Sequence, residues 1–178
     1  DIVKTIRKFA DHIVKMYEEN SSHDWRWFES VLTYSNSKIC EALFFAYIAT
    51  QNLRYLNIAE ESLNFLIGKT FENGVFVPIG QNGWYKKGGE RSYFDQQPID
   101  VSSMVQTLAL AYKLTKNVEY GKNLADIYTW IKGLPTTPDI VCLQEFPESD
   151  LEKLREAYLF NKLGFRFAPA LVKYGRLH

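Results

Sequence analysis

Three carboxylates lie in aromatic segments of this 178-residue chain that carry no helical period: Glu29, within Trp25-Arg-Trp-Phe-Glu29, and Asp95 and Asp100, at the two ends of Asp-Gln-Gln-Pro-Ile-Asp. Pairs of such groups cleave glycosidic bonds. One carboxyl protonates the leaving oxygen while the other activates water or attacks the anomeric carbon, with separations of about 6.5–9.5 Å for inversion and about 5–5.5 Å for retention. Glu29 follows Trp27 and Phe28, apolar neighbours of the kind that raise a carboxyl pKa and suit it to general-acid work; the competing role is a buried tie between loop and helix. Asp95 precedes Gln96 and Gln97, a cluster suited to binding sugar hydroxyls or to stabilising a turn. Asp100 is either a helix cap or a catalytic carboxylate.

Aromatic side chains accompany these groups. Twelve Phe, eleven Tyr and four Trp exceed what a core of this size requires. Trp25, Trp27, Trp84 and Tyr85 are candidates for stacking on the C–H faces of sugar rings, or for packing between helices. Sugar is favoured for Trp84 and Tyr85, because Asn82-Gly83 and Lys86-Lys87-Gly88-Gly89 make their segment turn-rich and wet. Tyr34 and Asn36 complete the candidate binding set. His12 and His23 have no neighbours at metal-ligand spacing, so no metal is assigned to this part of the chain.

The elements that position these residues are mainly helical. Ile2, Ile6, Phe9, Ile13 and Met16/Tyr17 mark one face of a helix over 1–19. Residues 20–36 break that period, and Asn36 or Ser37 can cap a second helix with Ile39, Leu43, Ala46, Tyr47 and Thr50 on one stripe. A third helix spans about 53–68. Residues 71–99 form a long Gly-punctuated excursion around the short extended run Val75–Ile79, too aromatic for disorder. Helices then resume at about Asp100 and run from Val118 to about Lys132.

Sliding the chain by 65 residues lays Ala46-Tyr47 on Ala111-Tyr112, Thr50 on Thr115, Asn52 on Asn117, Tyr55 on Tyr120, Phe65 on Trp130 and Gly68 on Gly133. Each copy reads as helix, tight turn with a capping Asn, and helix. Stacked hairpins of this kind share a continuous core and need a neighbour or cap at each end.

Composition excludes several classes. Twenty-one basic residues balance 21 acidic ones, so no field exists to hold a phosphate backbone, and nucleic acid is not an expected partner. No run approaches the ~20 apolar residues of a membrane helix. Cys40 and Cys142, far apart in apolar surroundings, read as buried thiols of a reducing, cytoplasmic setting.

Three segments, Trp25-Arg-Trp-Phe-Glu-Ser-Val-Leu-Thr-Tyr-Ser-Asn36, VFVPIGQNGWYKK over 75–87 and Asp95-Gln-Gln-Pro-Ile-Asp100, resemble the helical toroid of the six-hairpin glycosidase superfamily. The likeness is greatest to bacterial proteins of that fold associated with retaining, two-Rossmann glycosyltransferases. It covers about residues 25–133, roughly two hairpins and one extra helix. It implies a partial α/α toroid over 1–134 that binds or processes a sugar or oligosaccharide without a cofactor.

After Gly133 the character changes. Pro-Asp-Ile-Val-Cys-Leu-Gln-Glu-Phe146 reads as a buried strand ending in a carboxylate, Ser149-x-x-Glu152 as a capping box and Phe165-Arg166-Phe167 as a strand. This 135–178 appendage resembles a β-α-β piece of the endonuclease/exonuclease/phosphatase superfamily, which implies Glu145 as a divalent-metal ligand, with Mg only where an intact domain completes the site. Two further function classes follow: a metal-dependent phosphodiesterase or phosphatase, and a non-catalytic fragment that associates through exposed hairpin faces. A partial ring with a junction near Trp130–Leu134 leaves Phe9, Ile13, Ile127 and Ile131 in want of neighbours.

Overall fold

The computed structural model describes residues 1–133, with side chains through residue 127. The expected strand–helix–strand pattern over 135–178, Glu145 and the side chains at the proposed junction lie outside the described residues. Within them the chain is mainly helical: α1 (Ile2–Asn20), α2 (Ser37–Thr50), α3 (Leu53–Thr70), α4 (Pro98–Thr115) and α5 (Val118–Gly133). Four two-residue strands, β1 (Val31–Leu32), β2 (Phe71–Glu72), β3 (Val75–Phe76) and β4 (Tyr85–Lys86), organise the segments between helices.

The 65-residue repeat is a repeat of turn chemistry. At the end of α2 the Thr50 hydroxyl donates to the Ala46 carbonyl (2.7 Å), Gln51 takes a left-handed conformation (φ 56°), and the Asn52 side chain accepts from Arg54 N–H (3.0 Å). At the end of α4, Thr115 donates to Ala111 (2.8 Å), Lys116 is left-handed (φ 59°), and Asn117 accepts from Glu119 N–H (3.1 Å). Each Thr–x–Asn thus closes one helix and caps the next, as an αL residue followed by an Asn cap should. A two-residue connection leaves the chain no course but reversal, so α2/α3 and α4/α5 are contacting antiparallel hairpins.

Helix α2 packs against α1, α3 and α4, which is why it is apolar around most of its circumference. Cys40, Leu43 and Phe44 from it meet Ala59, Leu63 and Leu66 of α3 and Val101, Met104 and Leu108 of α4 in one core. In α1 the buried line is Ala10, Val14 and the expected Tyr17; of the other residues expected to mark it, Ile6, Ile13 and Met16 flank it, while Ile2 and Phe9 are exposed. Ile127, expected to be wetted, is buried; α5 packs on β3 as well as on α4.

The 71–99 excursion is held by specific devices. β2 and β3 form a hairpin around Asn73-Gly74, both with positive φ (52° and 76°), the twist a two-residue type I′ turn requires. Of the extended run expected over Val75–Ile79, Val75 and Phe76 form the strand, and Val77 N–H continues the pairing by donating to the Thr70 carbonyl (2.6 Å). β4 pairs antiparallel with β1, Val31 opposite Lys86 and Leu32 opposite Tyr85, which brings the 20–36 loop against the excursion. The Arg91 guanidinium then gathers it, donating to the carbonyls of Lys69 (2.5 Å), Val77 and Pro78 (3.2 Å) and to Glu72 Oε1 (2.8 Å).

Candidate functional site

The β1–β4 ribbon sorts the aromatic side chains into two sets. Trp25 and Trp27 turn inward and are buried. Trp25 meets Phe65 and Tyr85 edge-on and donates from Nε1 to the Glu29 carbonyl (2.7 Å), and Trp27 meets Phe28 edge-on. Neither indole face is available to a sugar, so the stacking expected of these two residues is replaced by core packing. Tyr85 is half-buried, its ring set against Trp25 with Lys69 Nζ 5.7 Å from its centroid.

Trp84 sits at the edge of the core, partly buried against it. It has positive φ (58°), is half-buried, and lies beside Tyr34, which is 58% exposed; their ring centroids are 6.1 Å apart at an interplanar angle of 36°. The inclination is close to that of the core pair Trp27–Phe65 (31°, centroids 6.3 Å apart), so what sets the Tyr34–Trp84 pair apart is the exposure of Tyr34. The sequence pointed to Trp84 with Tyr85; the partner the structure supplies is Tyr34.

Hydrogen-bonding groups border this surface through the pairing of residues 80–84 with 92–97. Gly80 N–H donates to the Ser92 carbonyl (2.8 Å), Gln81 N–H to the Asp95 carbonyl (3.1 Å) and Gln97 Nε2 to Gln81 Oε1 (2.9 Å). Gln96 Nε2 donates to the Tyr93 carbonyl (3.3 Å). Asp95 is exposed and left-handed (φ 58°), its backbone carbonyl shaping the turn and its carboxylate at the surface.

Asp100 stands between the heads of α2 and α4. The helix cap expected of it is absent: Gln97 occupies the cap position of α4 without a side-chain bond, and Asp100 lies in the first turn. Its Oδ1 instead accepts from Ser35 N–H (2.6 Å). Asn36 likewise does not cap α2 through its side chain; it is helical and turns back, exchanging two 2.9 Å bonds with the Thr33 peptide. Asp100 is only 6% exposed, and burial pushes its pKa up to about 6, against the Ser35 hydrogen bond that lowers it. Its second oxygen, Oδ2, is buried without a partner among the described residues, as is the hydroxyl of Ser37. Both residues line one small, partly open cavity, together with Asn36, Thr70 and Ser103.

Glu29 is exposed, with Trp27 and Phe28 buried beside it. The apolar environment expected from its neighbours is therefore not its own. Ser30, next to it, accepts from Lys87 N–H (2.8 Å), so Glu29 lies at the Lys87 end of the ribbon whereas Asp100 is bound at the Ser35 end. No hydrogen bond among the described residues joins any two of Glu29, Asp95 and Asp100. Ser35, Ser37, Thr70 and Ser103 around Asp100, and Gln81 opposite Gln97, are the site residues the sequence reading missed. Small hydroxyl residues in helix ends carry no signal of their own.

No group of three His, Cys, Asp or Glu side chains at metal-binding spacing occurs among the described residues, and no described helix is long and apolar enough to cross a membrane. No protein-family profile, curated protein or solved structure significantly matches this chain.

Proposed function

We propose that the helical region is a carbohydrate-binding or carbohydrate-processing module, with Tyr34 and Trp84 as its stacking surface and Gln81, Asp95, Gln96 and Gln97 as hydrogen-bonding groups at its edge. The observation that carries this reading is the Tyr34–Trp84 pair, in which an exposed Tyr34 ring lies beside the half-buried Trp84. A pyranose ring offers a C–H face to such a pair and a rim of hydroxyls to the amides and carboxylate beside it. Binding is favoured over cleavage. The raised pKa of Asp100 suits an acid, but its free oxygen faces the interior, and Glu29 stands at the other end of the ribbon.

Calorimetric titration with a panel of neutral and acidic oligosaccharides tests the proposal. The folded wild type binds at least one of them, and Trp84→Ala or Tyr34→Ala weakens that binding by about 1 kcal/mol, roughly fivefold in Kd. Absence of binding by a folded wild type contradicts it.

A second reading, association with another protein surface, is favoured by Ile2 and Phe9 on α1 and by Phe45 and Ile48 on α2, all exposed. Large apolar side chains grouped on helix faces are a common feature of interaction sites. Sedimentation velocity over a concentration series distinguishes it from the first: association that Phe9→Ser/Phe45→Ser abolishes supports it, and a concentration-independent monomer opposes self-association.

A further inference from the structure

The cavity beside Asp100 is polar where an interior normally is not. Ser37 at the start of α2, Thr70 at the end of α3, and Asp100 and Ser103 in the first two turns of α4 all line it, against an apolar wall that includes Phe76. Ser37 is 2% exposed and Asp100 6%, and Ser37 Oγ and Asp100 Oδ2 each lack a protein partner among the described residues. Leaving a buried hydroxyl and a buried carboxylate oxygen both unpaired is costly, and two such atoms on one cavity are best satisfied together. The cavity offers about 10 Å³ to the centre of a water molecule, which is room for one.

We infer that this cavity is a binding site for a single trapped water molecule bridging Asp100 Oδ2 and Ser37 Oγ. The water donates one proton to the carboxylate and accepts the Ser37 hydroxyl proton. Its second proton has acceptors at hand: the Thr70 hydroxyl donates to the Leu66 carbonyl (2.8 Å) and the Ser103 hydroxyl to the Asp100 carbonyl (3.1 Å), so each keeps a free lone pair. Two to four polar partners are what buried waters in proteins have. With Ser35 N–H on the other carboxylate oxygen, the bridge completes a tie from the Tyr34 loop and the head of α2 to the first turn of α4. It does not depend on the carbohydrate reading.

Water-oxygen magnetic relaxation dispersion on the intact chain, wild type against Ser37→Val, tests the site. Valine removes the hydroxyl and fills its space. The wild type should show a dispersion amplitude larger by one long-lived water; equal amplitudes overturn the inference. A high-resolution crystal structure of the wild type decides independently of whether the variant folds. Density for one oxygen within about 2.7–3.2 Å of both Asp100 Oδ2 and Ser37 Oγ is expected. A dry cavity, or a direct bond between those two atoms, overturns it.

Discussion

At the scale of single residues, exposure separates the buried indoles from the aromatic pair proposed to bind sugar. Trp25 and Trp27 stand two apart in sequence and are both buried in the core, whereas Trp84, with a left-handed backbone, is half-buried at its edge. Sequence identifies the aromatic excess but not this division, because the ribbon register that decides it is set by β4, more than fifty residues away. Trp27→Ala should therefore cost about 3–5 kcal/mol in denaturant unfolding, as other large-to-small core changes do, and Trp84→Ala much less. Asp100 yields a pH prediction. Burial lifts its pKa from 3.8 to about 6, so between these values the folded chain keeps a proton that the unfolded chain has released. Stability falls as pH rises through that window, and above it the ionised group carries the full penalty, about 3 kcal/mol before any water donating to Oδ2 reduces it. Asp100→Asn keeps the acceptor for Ser35 and removes the charge. Its unfolding free energy relative to wild type should rise between about pH 3.5 and pH 7; a difference that is flat or falls with pH contradicts this.

At the scale of elements, the helices were the most legible part of the chain. Apolar stripes located α1, α2 and α4, and the repeat paired α3 with α5 and located the turns, because Thr–x–Asn is a local device whose partners lie within four residues. Asn52→Ala and Asn117→Ala should each cost about 1 kcal/mol, the usual loss of a side-chain cap, read from chemical denaturation. The caps of α2 and α4 were misread for the opposite reason. Asn36 and Asp100 spend their acceptors on Thr33 and Ser35, and the Asp100 contact spans 65 residues. The excursion depends on one close approach: a Cβ on Gly80 would lie 2.6 Å from Phe94 N and 2.8 Å from Ser92 Oγ, and nearer still to the Phe94 carbonyl. Gly80→Ala must part residues 80–84 from 92–97. Expected are faster amide exchange at Gln81 and Asn82 and weakened oligosaccharide binding, with the helices unchanged by circular dichroism.

At the scale of the whole described region, two stacked hairpins and α1 surround a common core, and the surface divides between a polar-aromatic face and apolar patches on α1 and α2. The expectation that terminal hairpins leave apolar residues wetted holds for Phe9 and fails for Ile127, because α5 has β3 as a second neighbour, a contact no helical period could announce. The carbohydrate proposal makes a spatial claim that separates it from association through the helices: the ligand should be felt at Tyr34, along 80–84 and along 95–97, and not on α1. Amide and side-chain chemical-shift mapping of the intact chain during titration with an oligosaccharide that binds it tests this most directly. Shifts confined to Tyr34, Trp84 and the paired glutamines are predicted; shifts centred on Phe9 and Phe45, or none at saturating sugar, would contradict it.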